Sequence, residues 1–110
     1  MATCTGDYNG HLLVIDSLSK LRRIQQYLIM ISMMDGYHVT VIDGTDDVKE
    51  GDWRYHDNRS LTFSEWGGLE PVTGYADNED CLALDPGYDF KMNDVLCDDP
   101  HPFICENTLY

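Results

Sequence analysis

Residues 70–97 read EPVTGYADNEDCLALDPGYDFKMNDVLC. Two cysteines, Cys81 and Cys97, stand close enough to close one loop. Carboxylates crowd around them: Glu70, Asp77, Glu79, Asp80, Asp85, Asp89 and Asp94 within the stretch, Asp98 and Asp99 just beyond it, with Lys91 the only base. Like charges packed into one compact segment repel one another, and a hard divalent cation with oxygen ligands relieves that repulsion. A solvated acidic surface has the same composition. Two details favour a cage: the neutral amide Asn93 directly precedes Asp94, and Glu79 stands two residues before the covalent anchor Cys81.

The rest of the composition narrows the setting. One hundred and ten residues make a single domain, 1–110, with a real but modest core that gains from staples. Four cysteines with no C-x-x-C and no Cys/His cluster argue against zinc and for a disulfide framework made outside the reducing cytosol. Three pairings exist on paper. Spacing favours Cys4 with Cys105, tying the two ends, and Cys81 with Cys97, closing the acidic loop. In the chain-entropy model such loops contribute roughly 4.7 and about 3 kcal/mol. A net charge of −13 makes nucleic acid and anionic membrane poor partners, because the Coulombic term repels. No stretch reaches membrane-spanning length, and the first residues lack the charged and apolar regions of a signal peptide. The expected setting is secreted or extracellular.

Working back along the chain, Leu12 to Ile15 is a short strand candidate stopped by Asp16-Ser17, either of which can cap a helix. Leu18, Leu21, Ile24, Leu28 and Ile31 recur at three- and four-residue steps, predicting an amphipathic helix from about Leu18 to about Ser32. Met30, Met33 and Met34 extend it as an adaptable apolar tail, read as core filler, and Asp35-Gly36 ends it. Tyr37, Val39 and Val41 alternate with polar residues as a strand does. Further short strands are expected at 82–84, 95–97 and 103–105. The segment 67–80, with one apolar residue per several polar ones, is too long for a simple connector and reads as a functional loop. Asn58-Arg59-Ser60 has the pattern of an N-glycosylation acceptor. His11, His38, His56 and His101 are scattered and none accompanies a nucleophile pattern, so an enzyme is not expected.

Taken in order, Cys4, Gly10-His11-Leu12, Ile15-Asp16-Ser17, Gly44-Thr45-Asp46-Asp47, Glu50-Gly51-Asp52-Trp53, Trp66, Glu70-Pro71, Glu79-Asp80-Cys81, Asn93-Asp94, Cys97 and Phe103-Ile104-Cys105-Glu106 resemble the C-type lectin-like domain over nearly the whole chain. The resemblance implies an α+β fold: two small antiparallel sheets, a flanking helix, a long ligand-binding loop and the same two disulfides that spacing favours. It also implies a principal calcium site at Glu70, Glu79, Asn93 and Asp94, where a sugar diol coordinates the ion and hydrogen-bonds the same side chains. An auxiliary calcium site is implied at Asp46, Glu50, Glu79 and Asp80. The first reading is therefore a calcium-dependent carbohydrate-binding lectin. Its alternative is an interaction module of the same fold, binding a protein or mineral surface, with calcium in a structural role.

Three departures qualify the resemblance. The family reads Glu-Pro-Asn or Gln-Pro-Asp in the long loop, whereas this chain has Glu70-Pro71-Val72, one oxygen ligand fewer. Glu70 leans toward mannose, glucose or N-acetylglucosamine over galactose, and Val72 weakens that preference. Met92 and Val41 stand where tryptophans are usual. The family's strand and helix before the cysteine matched by Cys4 are missing from this sequence, which implies an open sheet edge and an open helix-facing surface. A homodimer that covers that surface is the expectation.

Overall fold

The computed structural model describes residues 10–46, 48–49, 51–67, 81–97 and 100–107. Strand β1 (Gly10–Leu12) leads to helix α1 (Leu18–Asp35), then to β2 (Thr40–Thr45), β3 (Cys81–Asp85), a 3₁₀ turn at Pro86–Tyr88, β4 (Lys91–Val95) and β5 (Cys105–Asn107). The fold is α+β. One sheet pairs β1 with β5 and the other runs β2-β3-β4, every pair antiparallel.

Helix α1 starts where the Ser17 hydroxyl accepts from the Lys20 amide at 3.2 Å, and stops where Gly36 takes a φ of 87° while its amide donates to the Ser32 carbonyl. It ends at Asp35-Gly36, as the sequence reading expects. Its buried face is narrower than periodicity suggests: Leu21, Gln25, Leu28 and Ser32 are buried, whereas Leu18 and Ile31 are exposed. The two polar members of that face are satisfied. Gln25 donates to the Phe90 carbonyl at 3.0 Å and accepts from Arg22, and the Ser32 hydroxyl returns to the Leu28 carbonyl at 2.6 Å. The methionine tail is not core. Met33 and Met34 are 77% and 87% exposed, off the face that buries Leu21, Gln25, Leu28 and Ser32; among the described residues Met92, on β4, is the fully buried methionine.

The strands sit a few residues from their expected places, for visible reasons. Leu13 to Ile15 are buried but lie outside β1, the Leu13 amide donating to Ile104 and its carbonyl accepting from Asp43. Strand β2 begins at Thr40, where the Val41 amide finds the Pro102 carbonyl, so Tyr37 stays exposed. Strand β4 ends at Val95, and Cys97 turns back to its disulfide with Cys81, closing the expected loop. Cys105 is also disulfide-bonded, and its expected partner Cys4 lies outside the described residues.

The register of β2 against β3 shifts between Val41 and Thr45. Gly44, at φ 151°, makes that bulge possible, since a Cβ there would lie 2.7 Å from a Leu82 methyl. One core cluster joins Leu13, Ile15, Leu21, Leu28, Ile42, Trp53, Leu82, Leu84, Phe90 and Met92, and a smaller one on the other sheet face joins Val41, Cys81, Ala83 and Val95. Truncating Met92 to alanine is expected to cost about 2–5 kcal/mol in urea unfolding, while Met34→Ala stays within about 0.5 kcal/mol.

Candidate functional site

The sheet builds the foot of the long acidic loop. Segment 65–67 lies along β4: the Met92 amide donates to the Glu65 carbonyl and the Gly67 amide donates to the Met92 carbonyl, both at 2.9 Å. Cys81 opposite Val95 borders the same strand on its other side. The chain therefore leaves for residues 68–80 on one flank of β4 and returns on the other. Gly67 is required at the exit, because a Cβ there would strike Tyr88 at 2.4 Å.

Of the residues expected to bind metal, Asn93, Asp94 and Asp46 are described, and Glu70, Glu79, Asp80 and Glu50 lie outside the described residues. Asp94 pairs with Leu82 and is only 2% exposed, on the sheet face that carries Leu82 and Met92. Its Oδ1 is buried and has no hydrogen-bond donor among the described residues. Asn93 pairs with Ala83 and leaves the opposite face. There its amide nitrogen donates to Asp85 Oδ2 at 2.7 Å, and its own Oδ1 is likewise buried without a donor. Asp46, just past the bulge of β2, is 2% exposed; Oδ2 accepts from the Gly51 amide at 2.9 Å and Oδ1 has no donor. The described residues thus hold three buried acceptor oxygens without donors, one at each expected position they include. Leaving a buried acceptor unpaired costs about 1–3 kcal/mol, more for a charged group. Oxygen acceptors of this kind suit a hard cation. Among the described residues no three His, Cys, Asp or Glu side chains gather into a metal cluster.

Several polar contacts were not foreseen. Asp85 both fixes Asn93 and caps the 3₁₀ turn by accepting from the Gly87 amide at 2.8 Å. Buried Asp43 accepts from the His56 backbone amide and from its ring Nδ1, both at 2.8 Å, and the His56 ring stacks on His11 with centroids 4.2 Å apart. Glu106 accepts from the Val14 amide and from Lys20, locking β5 to the helix start. The Asp43–His56, Lys20–Glu106 and Val14–Glu106 pairs stand 13 to 92 apart in the chain, so no local pattern announces them.

Residues 1–107 match the Lectin C-type domain family. The chain belongs to the C-type lectin domain family. Members of this family are binding modules and not enzymes, in agreement with the scattered histidines. A C-type lectin of Cerberus rynchops is 38% identical over 66 residues, which span 58% of this chain and 40% of that protein. The chain thus covers well under half the length of that relative. The solved carbohydrate-recognition domain of the mouse scavenger receptor C-type lectin is 27% identical with a TM-score of 0.69, covering 92% of this chain and 72% of that one. A calcium-independent type II antifreeze protein, 20% identical, has the same fold at a TM-score of 0.69, covering 89% of this chain and 68% of that one. One fold therefore serves both a carbohydrate-recognition domain and a protein that works without calcium.

Arg22 makes a two-pronged contact with Glu65, at 2.8 and 2.9 Å, that pins α1 to the segment feeding the loop of this C-type lectin domain. The hydrogen bond to Arg22 holds the Glu65 carboxyl below its ordinary value of 4.5, outweighing desolvation. A depressed carboxylate pKa stabilises the fold above the unfolded pKa, and the contribution fades as pH falls through the folded pKa. The stability gap between the natural chain and Glu65→Gln, read from urea midpoints, is therefore expected to be open near neutral pH and to close below about pH 4.

Proposed function

We propose that this C-type lectin domain is a secreted calcium-dependent carbohydrate-binding module whose ion sits at the foot of the 68–80 loop. The observation that carries the reading is Asp94 Oδ1, a carboxylate oxygen buried on β4 with no donor. Asn93, whose Oδ1 also has no donor, leaves the opposite face of β4 and must turn from Asp85 to join the ion, and Glu70 and Glu79 are the further ligands. Asp46, with Glu50, Glu79 and Asp80, forms the auxiliary site, where the Gly51 amide already fixes one Asp46 oxygen and leaves the other for the ion. Bound calcium supplies positive charge for these oxygens and open positions for two vicinal sugar hydroxyls. The carboxylates accept from hydroxyl hydrogens. With Glu70 at the first loop position, mannose, glucose or N-acetylglucosamine is preferred over galactose.

A second reading has its own support: a C-type lectin-like interaction module that holds calcium structurally and binds a protein or mineral surface without monosaccharide. Val72 stands where a further oxygen ligand is usual, and the Asn93 amide, the group that would donate to a sugar hydroxyl, is already bonded to Asp85 at 2.7 Å. One lost charge-assisted hydrogen bond is worth about 1.5–3 kcal/mol, enough to make monosaccharide affinity marginal.

Adding calcium to the chelated protein is expected to raise its melting temperature, reaching about 2.7 kcal/mol of added stability at a hundredfold excess over Kd. Asp94→Asn should abolish most of that rise. An unchanged melting temperature in both proteins would remove the calcium site. Calorimetry in calcium with mannose, N-acetylglucosamine and galactose then separates the two readings. Heat with the first two, strengthened by Val72→Asn, supports the lectin; absence of heat in both proteins, with the calcium response intact, leaves the interaction module.

A further inference from the structure

The pattern Asn58-Arg59-Ser60 takes no part in the calcium reading, and its surroundings give it a use. Residues 54–60 form a small hairpin. The Tyr55 amide donates to the Arg59 carbonyl and the Asn58 amide donates to the Tyr55 carbonyl, both at 2.9 Å, while Arg54 and Ser60 pair as an antiparallel bridge. Asn58 is at the tip with φ 70°, a left-handed conformation that asparagine tolerates better than most residues.

The side chains that hold this hairpin are the neighbours of Asn58. Asp57 accepts from the Arg59 amide and side chain, Arg59 lies over the Tyr55 ring, and Arg54 donates to the Asn58 backbone carbonyl at 3.1 Å. Asn58 and Ser60 are both exposed, and neither side chain makes a hydrogen bond among the described residues. The amide and hydroxyl that the acceptor pattern requires are thus presented free on a tight surface turn. The disulfide between Cys81 and Cys97 forms in the same oxidising compartment where such acceptors are used.

We infer that Asn58 is a site of N-linked glycosylation. The donor is an oligosaccharide joined through a diphosphate to a lipid. The Asn58 amide nitrogen bonds to the anomeric carbon, the carbon–oxygen bond to the diphosphate breaks, the lipid diphosphate leaves with the bonding pair, and one amide proton goes to a base. No electron is gained or lost by the protein.

The position suits a permanent glycan. Ser60 pairs with Arg54, Arg54 with Thr45, Thr45 with Cys81, and Cys81 with Val95, so β2 and β3 separate the hairpin from the strand that carries Asp94. A hydrated oligosaccharide at this outer edge shields strand backbone from edge-to-edge pairing and leaves the candidate calcium strand uncovered.

The test is to route the 110-residue chain through the secretory pathway of a eukaryotic cell and map its peptides by mass spectrometry, beside Ser60→Ala and Asn58→Gln. Ser60→Ala is the cleaner variant, because it keeps asparagine at the left-handed turn. The expected result is a hexose and N-acetylhexosamine mass on the peptide holding Asn58. Peptide-N-glycosidase should remove it with conversion Asn58→Asp, and both variants should lack it. Secreted chain with the 81–97 disulfide formed and Asn58 unmodified would overturn the inference, as would a glycan that persists on Asn58 in Ser60→Ala. Neither outcome depends on whether calcium or sugar binds elsewhere.

Discussion

A carboxylate oxygen taken out of water must be given a donor or a cation, and among the described residues Asp94 Oδ1 has no donor. The surrounding structure leaves it little freedom to escape. Its strand is held by β3 along five register pairs, by segment 65–67 on the other side, and by the disulfide that turns the chain back just after β4. Moving Asp94 into water would break a ladder whose inner face is the main core, with Leu82, Leu84 and Met92 all buried there. The fold therefore keeps that oxygen in place.

The same economy explains how the two acid-rich loops are aimed. The bulge at Gly44 lets β2 deliver Asp46 at its end with one oxygen bonded to the Gly51 amide. The paired flanks of β4 fix both ends of the 68–80 loop, and the Arg22–Glu65 contact ties its entrance to the helix. Scaffold and candidate ligands are continuous, so changes in the core beneath Met92 should be felt at the loop.

The helix start at Ser17, its end at Gly36, the Cys81–Cys97 bridge and the family all follow from local signals in the sequence: a cap, a glycine, a spacing, an ordered set of short motifs. Strand limits did not, because Leu13 and Val41 find their backbone partners at Ile104 and Pro102, far along the chain. Met30, Met33 and Met34 misled because hydrophobicity alone does not say which face of a helix is buried, and all three lie off the face that carries Leu21, Gln25, Leu28 and Ser32. Within the candidate site, the residue types at 93 and 94 were legible, but the capture of Asn93 by Asp85 was not, since it depends on a diagonal contact across β3 and β4.

The most direct measurement is a crystal structure grown in calcium, with anomalous differences collected to distinguish the ion from water. An anomalous peak is expected within about 2.3–2.6 Å of Asp94 Oδ1, with further oxygens completing six to eight ligands. An ordered water or a protein donor at that oxygen, with no anomalous signal beside it, would contradict the calcium site.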